Sequence, residues 1–459
     1  MEKKTATEEY MDRERKSIYT TTVNMGGPVI KTGYSGPWFV DIEERIFLDF
    51  TSQVSLLNTG YRHPEVESFL STQLKSLYSC ISADWPFANE VAGLDKNNIE
   101  ISRAALAEKL IELTDGIMPF EKKVLFEISG ATAVNAAAYL CMAAYLGETG
   151  RWSTKSFERL FLHRRIFIPS SHAPFRFSFL GFKNAFHGRH GIAKLLTDSK
   201  AVHLWGSTSG CAVGRLTLPD GDCTEKDMIK EADYVINHLA KYAPVVAFFF
   251  EPVQGEGGIN VPNKDGMNFL VEYLREKRGI YIIADEIQSG LGRTGKMFAC
   301  EHFGIEPDMV ILSKSLGAGL PIGAVVANSE KFPDLEPGMH SGSHHCPPMA
   351  CAAAIANLDV IKRGIPHAGE MGASAAERLE SIAQKFPEII KEVRGLGLML
   401  GVDFYDVNTR KTVIREAQKR GTLLASCGKS AICVYPPITI EKRDLDYGLN
   451  IFEEVLEDL

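Results

Sequence analysis

Two charged side chains stand where apolar runs end. Asp285 follows Ile280-Tyr281-Ile282-Ile283-Ala284, and Lys314 follows Met309-Val310-Ile311-Leu312-Ser313. Each run reads as a buried strand, and the carboxyl edge of a parallel sheet is where such sheets bind ligands. A carboxylate and an amine half-buried there need compensation. A mutual salt bridge or plain exposure to water would supply it, and so would a ligand. A third feature adds weight to the ligand. Ser129-Gly130-Ala131-Thr132 joins a short strand, Val124 to Ile128, to an alanine-rich helix, Thr132 to Leu146. Free N–H groups and the dipole at a helix N-terminus favour a phosphate, and glycine lets the backbone approach it closely. A phosphate cup, a carboxylate and a lysine around one sheet edge are what pyridoxal phosphate requires. The lysine forms a Schiff base, and the carboxylate keeps the pyridine nitrogen protonated so that the ring can accept carbanion electrons.

The elements that must position these groups are legible as well. Trp38 to Ile42, a Glu43-Glu44-Arg45 turn and Ile46 to Phe50 predict a hairpin. The apolar spacing from Ser102 to Leu113 is helical. Val245–Phe250, Ile280–Ala284 and Met309–Leu312 predict strands of a mostly parallel sheet covered on both faces. The glycines of Gly317-Ala318-Gly319-Leu320-Pro321 permit a tight reversal, so Ile322 to Val326 is expected to finish the sheet as one antiparallel strand. Beyond about residue 335 the texture changes. Helices Cys351–Ile361, Ala373–Lys385 and Asp444–Glu457 surround short strands near Leu398–Phe404 and Ile432–Val434. The expected division is a segment 1–65 that joins a small domain, a large cofactor-binding domain over 66–335, and a C-terminal small domain over 336–459.

Composition narrows the class. The 459 residues are 45% apolar and 24% charged, ordinary for a globular chain with a core of good size. A formal net charge of −8 argues against nucleic acid as a partner. The nine cysteines contain no C-x-x-C pair, so neither a disulfide framework nor a four-cysteine metal site is suggested. The polar N-terminus and the lack of an apolar run long enough to span a bilayer predict a cytoplasmic protein without a membrane partner.

Longer motifs carry a resemblance. Glu251-Pro252-Val253-Gln254-Gly255-Glu256-Gly257-Gly258, Ala284-Asp285-Glu286-Ile287-Gln288-Ser289-Gly290-Leu291-Gly292-Arg293-Thr294-Gly295 and Ser313-Lys314-Ser315-Leu316-Gly317 together resemble the class III (omega) aminotransferases. Asn184 to Arg189, Val393 to Gly397 and Asn58 to Pro64 match in the same order. The resemblance implies the fold of type I pyridoxal-phosphate enzymes, α/β with a large domain built on a mostly parallel sheet and a smaller α+β domain from the two chain ends. It further implies that Lys314 holds the cofactor aldehyde and shuttles a proton. Asp285 pairs with the pyridine nitrogen, Gln288 lies near the ring hydroxyl, Phe186 stacks on the ring and His187 sits beside it. Gly130 and Ala131 bind the phosphate, and in a homodimer Ser343 of the other copy completes that cup. Arg394 resembles the arginine that binds a substrate carboxylate, and Glu256 the gate residue that can neutralise it.

The implied reaction moves an amino group from a donor such as 4-aminobutyrate, ornithine or lysine to 2-oxoglutarate or pyruvate. An amino-acid racemase or epimerase on the same scaffold is the alternative, and a cofactor-binding protein without turnover is a third reading. Several positions depart from the family pattern. Thr132 and Asn135 stand where acidic residues are usual, and Ser343-His344-His345-Cys346-Pro347-Pro348 replaces a glycine-rich stretch. His344-His345-Cys346 predicts no metal site, because adjacent residues rarely point the same way and no second ligand pair has matching spacing. The 150–183 segment interleaves aromatics with arginines and reads as amphipathic packing rather than a nucleic-acid surface. Substrate specificity is expected from the loops around Val54-Ser55 and Leu204-Trp205 and, contributed by the other copy of a dimer, His340 to Cys346.

Overall fold

The computed structural model describes residues 4–18, 28–76, 86–92, 98–148, 177–200, 210–335 and 338–459. Most of the 150–183 segment and Leu204-Trp205 lie outside the described residues.

A seven-stranded sheet carries the site. Its strands in chain order are β1 (Lys122–Glu127), β2 (Ser178–Phe182), β3 (Ala212–Leu216), β4 (Val245–Phe250), β5 (Tyr281–Asp285), β6 (Met309–Leu312) and β7 (Gly323–Asn328), arranged β1-β7-β6-β5-β4-β2-β3. Val-Val-Ala-Phe-Phe-Phe of β4 and Tyr-Ile-Ile-Ala-Asp of β5 are buried on both faces, which is why they read as unbroken apolar runs rather than alternating ones. β7 runs antiparallel to both β6 and β1. It therefore does not close the sheet at an edge: β1, the strand that leads to Gly130, lies outside it.

The two chain ends meet in smaller sheets. The hairpin Trp38–Asp41 with Ile46–Asp49 turns at Glu44, which has φ +63°, and Thr422–Leu423 adds to it in parallel. A second sheet joins Ile390–Leu396, Met399–Phe404, Ala431–Val434 and Ala425–Cys427.

The largest difference from expectation is a helix. Two helices were expected over Cys351–Ile361 and Ala373–Lys385, but Pro348–Lys385 is one 38-residue helix with Pro366 inside it. A proline there removes one backbone bond and disfavours the helix by about 3 kcal/mol. Ile361, Ala368, Gly372, Ala375 and Leu379 bury the helix on both sides of the proline, and that tertiary packing keeps it continuous.

Backbones cross without intervening side chains where this helix meets the loop after β5. A Cβ on Gly372 would lie 2.4 Å from the carbonyl carbon of Gly397, and a Cβ on Gly397, at φ +55°, 2.3 Å from that of Thr294. Arg293, fully buried beside this crossing, donates to the carbonyls of Leu398 (3.1 Å) and Pro436 (2.5 Å) and to Asn58 Oδ1 (2.5 Å). Burial holds its guanidinium down to about 10.

Candidate active site

β5 and β6 are parallel neighbours with Asp285 opposite Ile311, so Asp285 and Lys314 leave the sheet at the same edge. Lys314 opens a tight 3-10 turn at φ +45°, a backbone conformation that disfavours any side chain but glycine's. Such local strain persists only where the surroundings fix it. Gly130 begins the helix Gly130–Glu148 just beyond β1, with its first-turn N–H groups at that same edge. A Cβ on Gly130 would lie 2.8 Å from Ile287 Cδ1, so a larger residue there requires the Ile287 side chain to move.

Of the ten residues singled out from sequence, Lys314, Asp285, Gln288, Gly130, Ala131, Phe186 and His187 line one cavity of 200 Å³. Asp285 is 3% exposed. Its Oδ2 lies 2.7 Å from His187 Nδ1, and its Oδ1 accepts the Ile287 N–H at 3.1 Å. The backbone N–H of His187 donates to Thr197 Oγ1 at 2.9 Å, which fixes the segment that carries the ring. Among the described residues, the Lys314 ammonium has no hydrogen-bond or ion-pair partner. Burial pushes its pKa down, opposed by the charges of Asp285, Glu251 and Glu256.

The remaining three residues lie elsewhere. Arg394 opens onto a neighbouring cleft of 460 Å³ that Lys200, Asn260 and Lys429 also line. Its guanidinium donates to the Gly258 carbonyl (2.7 and 2.9 Å), to Glu392 Oε2 (2.7 Å) and to Asp403 Oδ2 (3.3 Å). Glu256 pairs with Lys200. In this structure Glu256 and Arg394 thus each have another partner. Ser343 is exposed on a turn and does not line the cavity of its own chain.

Two residues that sequence reasoning passed over belong to this region. Glu251, 4% exposed, lines the cavity and accepts from the N–H groups of Phe186 (2.8 Å) and Gly255 (3.0 Å). Burial pushes its carboxyl up to about 7, with the nearby His187 opposing and Asp285 adding to the rise. The signal was available, since Glu251 follows an apolar strand just as Asp285 does. Lys200 sits in no motif, and only folding brings it to Glu256.

The departures at the phosphate turn have local replacements. The Thr132 hydroxyl accepts the Ser129 N–H (3.1 Å), and Asn135 Oδ1 accepts the Ala193 N–H (3.1 Å) from the helix Gly191–Leu196. Neutral groups therefore organise the first turns of the helix where carboxylates are usual.

These residues fit pyridoxal phosphate on their own chemistry. The cavity joins an unpaired lysine, a buried carboxylate and a glycine-gated helix N-terminus, and the buried His187 Nε2 is without a partner among the described residues. The profile of the family "Aminotransferase class-III" matches residues 22–456. The chain belongs to the class III aminotransferases. This class III aminotransferase is 30% identical over 463 residues to an acetylornithine aminotransferase of Methanocaldococcus jannaschii, covering 98% of this chain and 99% of the relative. It is also 30% identical to a leucine/methionine racemase of Thermococcus litoralis, covering 91% and 88%. Among solved structures, the ornithine aminotransferase of Toxoplasma gondii superposes with a TM-score of 0.77 at 25% identity, covering 99% of this chain and 96% of that one. The class III aminotransferase is thus a pyridoxal-phosphate enzyme of fold type I. No described helix is long and apolar enough to cross a membrane.

Proposed function

We propose that this enzyme transfers the amino group of an omega-amino donor bearing a distant carboxylate, of the 4-aminobutyrate, ornithine or lysine type, to a 2-oxo acid such as 2-oxoglutarate or pyruvate. One observation carries the reading. A cleft lined by Arg394, Lys200 and Lys429 lies near the Lys314 cavity, and Glu256 bears on both, since it pairs with Lys200 and its charge acts on Lys314. On this reading a carboxylate bound in the cleft directs the other end of the donor toward Lys314. Glu392, half exposed, is the partner of Arg394 that an incoming carboxylate most readily displaces, while Asp403 and the Gly258 carbonyl keep the guanidinium oriented.

Bound at Lys314, pyridoxal phosphate supplies an electron sink for the carbanion formed when the substrate loses a proton. Asp285, held by His187 and the Ile287 N–H, would pair with the pyridine nitrogen and keep it protonated. Phe186 would stack on the ring, and Gln288 would lie near its hydroxyl. The amide groups of Gly130 and Ala131 would hold the phosphate, and in a homodimer Ser343 of the second copy would complete that cup. Lys314 would hold the cofactor aldehyde, and its amine is the group that would carry the proton. Its lowered pKa favours the neutral amine that this task needs. The same reading has support among relatives, which include a 5-aminovalerate aminotransferase of Pseudomonas aeruginosa and a 4-aminobutyrate aminotransferase of Escherichia coli.

Racemisation is the second reading, favoured by the racemase relative. The experiment is a visible absorption scan of purified enzyme with single amino acids and no 2-oxo acid. Loss of the lysine-bound cofactor band with 4-aminobutyrate, ornithine or lysine supports the proposal and names the donor. A persistent band with accumulating D-amino acid overturns it in favour of racemisation.

A further inference from the structure

We propose that Glu127, His340 and His345 form a binding site for one divalent transition-metal ion, with Zn²⁺ the occupant their chemistry fits. The proposal rests on these side chains alone and not on the donor assignment, since none of the three lines the cofactor cavity.

Glu127 ends β1 and is 1% exposed. His340 lies 213 residues away in sequence, and its Nε2 contacts Glu127 Oε1. His345 Nε2 lies 3.3 Å from the other oxygen, Oε2. The three candidate ligand atoms all fall within 4.8 Å of one another. A tetrahedral ion with ligands at about 2.1 Å separates its donors by roughly 3.4 Å, so the His345–Glu127 spacing is already that of two ligands on one ion. Two histidines and a carboxylate are a recurrent zinc donor set, leaving a fourth position for water.

The surroundings bring the donors together. The imidazoles are 5.7 Å apart and tilted by 39°, so they reach the carboxylate separately rather than stacking on each other. Gly342 makes room for this: a Cβ there would lie 2.3 Å from His345 Nε2, and the His345 N–H closes the turn onto the Gly342 carbonyl at 3.1 Å. Tyr139 packs edge-on against His340 at 5.6 Å. A buried carboxylate is costly without a compensating charge, and a dication held between it and the two imidazoles supplies one. Cys346 is not part of the set: it is buried, and its thiol pairs with Cys351.

Neighbours in one stretch, such as His344-His345-Cys346, rarely point the same way. The fold supplies the ligands from a strand end and from two ends of a turn. An ion there would fasten the turn that presents Ser343 to the strand that leads into Gly130.

The test uses the holoenzyme, treated with chelator, desalted and titrated with ZnCl₂ by calorimetry, with Co²⁺ absorption at wavelengths beyond the cofactor band as a second readout. One Zn²⁺ per chain is expected. His340→Ala and His345→Ala should each weaken binding by about tenfold or more, while the cofactor band and thermal unfolding persist. His344→Ala should bind as the unaltered enzyme does. Should His345→Ala fail to fold, His340→Gln reads the same loss from a half-buried position. Absence of zinc uptake by the unaltered enzyme, or uptake undiminished in the His340 variants, overturns the site. Neither result depends on turnover, so failure here is separate from failure of the aminotransferase reading.

Discussion

Glu251→Gln probes the electrostatics of the site most directly. The carboxyl is buried against the cavity and pushed up from 4.5 to about 7, chiefly by loss of hydration. The unfolded chain therefore releases this proton near 4.5 and the folded chain near 7. Between those values the native state binds more protons than the unfolded one, so stability falls as pH rises and levels off above 7. At about 1.4 kcal/mol per pH unit, the gap corresponds to about 3 kcal/mol. Glutamine removes this dependence but brings a penalty of its own. Glu251 accepts from two N–H groups, of Phe186 and Gly255, and an amide oxygen can serve only one side. That mismatch costs about 1–3 kcal/mol at every pH. In urea unfolding of cofactor-stripped protein, the variant should be the less stable at about pH 5. By about pH 8.5 the difference should have moved by about 3 kcal/mol in its favour. A difference between the two proteins that is the same at both pH values refutes the reasoning. It would mean that the N–H groups and His187 already hold the folded carboxylate charged at the lower pH.

Arg293→Met should destabilise the protein by about 3 kcal/mol or more, because it strands three buried acceptors, those of Leu398, Pro436 and Asn58. Thermal unfolding checks this, and a change of less than 1 kcal/mol would show that water replaces the guanidinium. Gly130→Ala drives a methyl group toward Ile287 Cδ1, 2.8 Å away, at the mouth of the phosphate turn. Moving Ile287 aside at a cost of about 1 kcal/mol predicts a loss of cofactor affinity of about fivefold. It is read by titrating the stripped protein with pyridoxal phosphate, with unchanged affinity as the contrary result.

The site was legible where chemistry coincides with local structure. Asp285 and Lys314 announce themselves as charges at the ends of apolar strands, and Gly130 as a break between strand and helix. Glu251 carries the same signature but was read only as part of a motif. Lys200 could not be found, because an ion pair between separate loops leaves no periodicity. The Glu127–His340 contact, 213 residues apart, was hidden for the same reason. In the fold, the strands of the central sheet were readable because burial on both faces leaves unbroken apolar runs. The place of β7 was not, since reversal of direction does not say which neighbours a strand finds. Pro366 suggested a break that packing against the core overrode.

The glycine crossing at Gly372, Gly397 and Thr294 bears on how such an enzyme can diverge. Where backbones touch, a single substitution at either glycine has nowhere to go, so the crossing resists change from any one mutation. That crossing joins the loop that leaves Asp285 to the turn three residues beyond Arg394, and so sets the span between the two ends of the site. Lys200 and Lys429, on the cleft wall, are under no such restraint. Exchanges among wall residues such as these leave the crossing, and the span it fixes, unchanged.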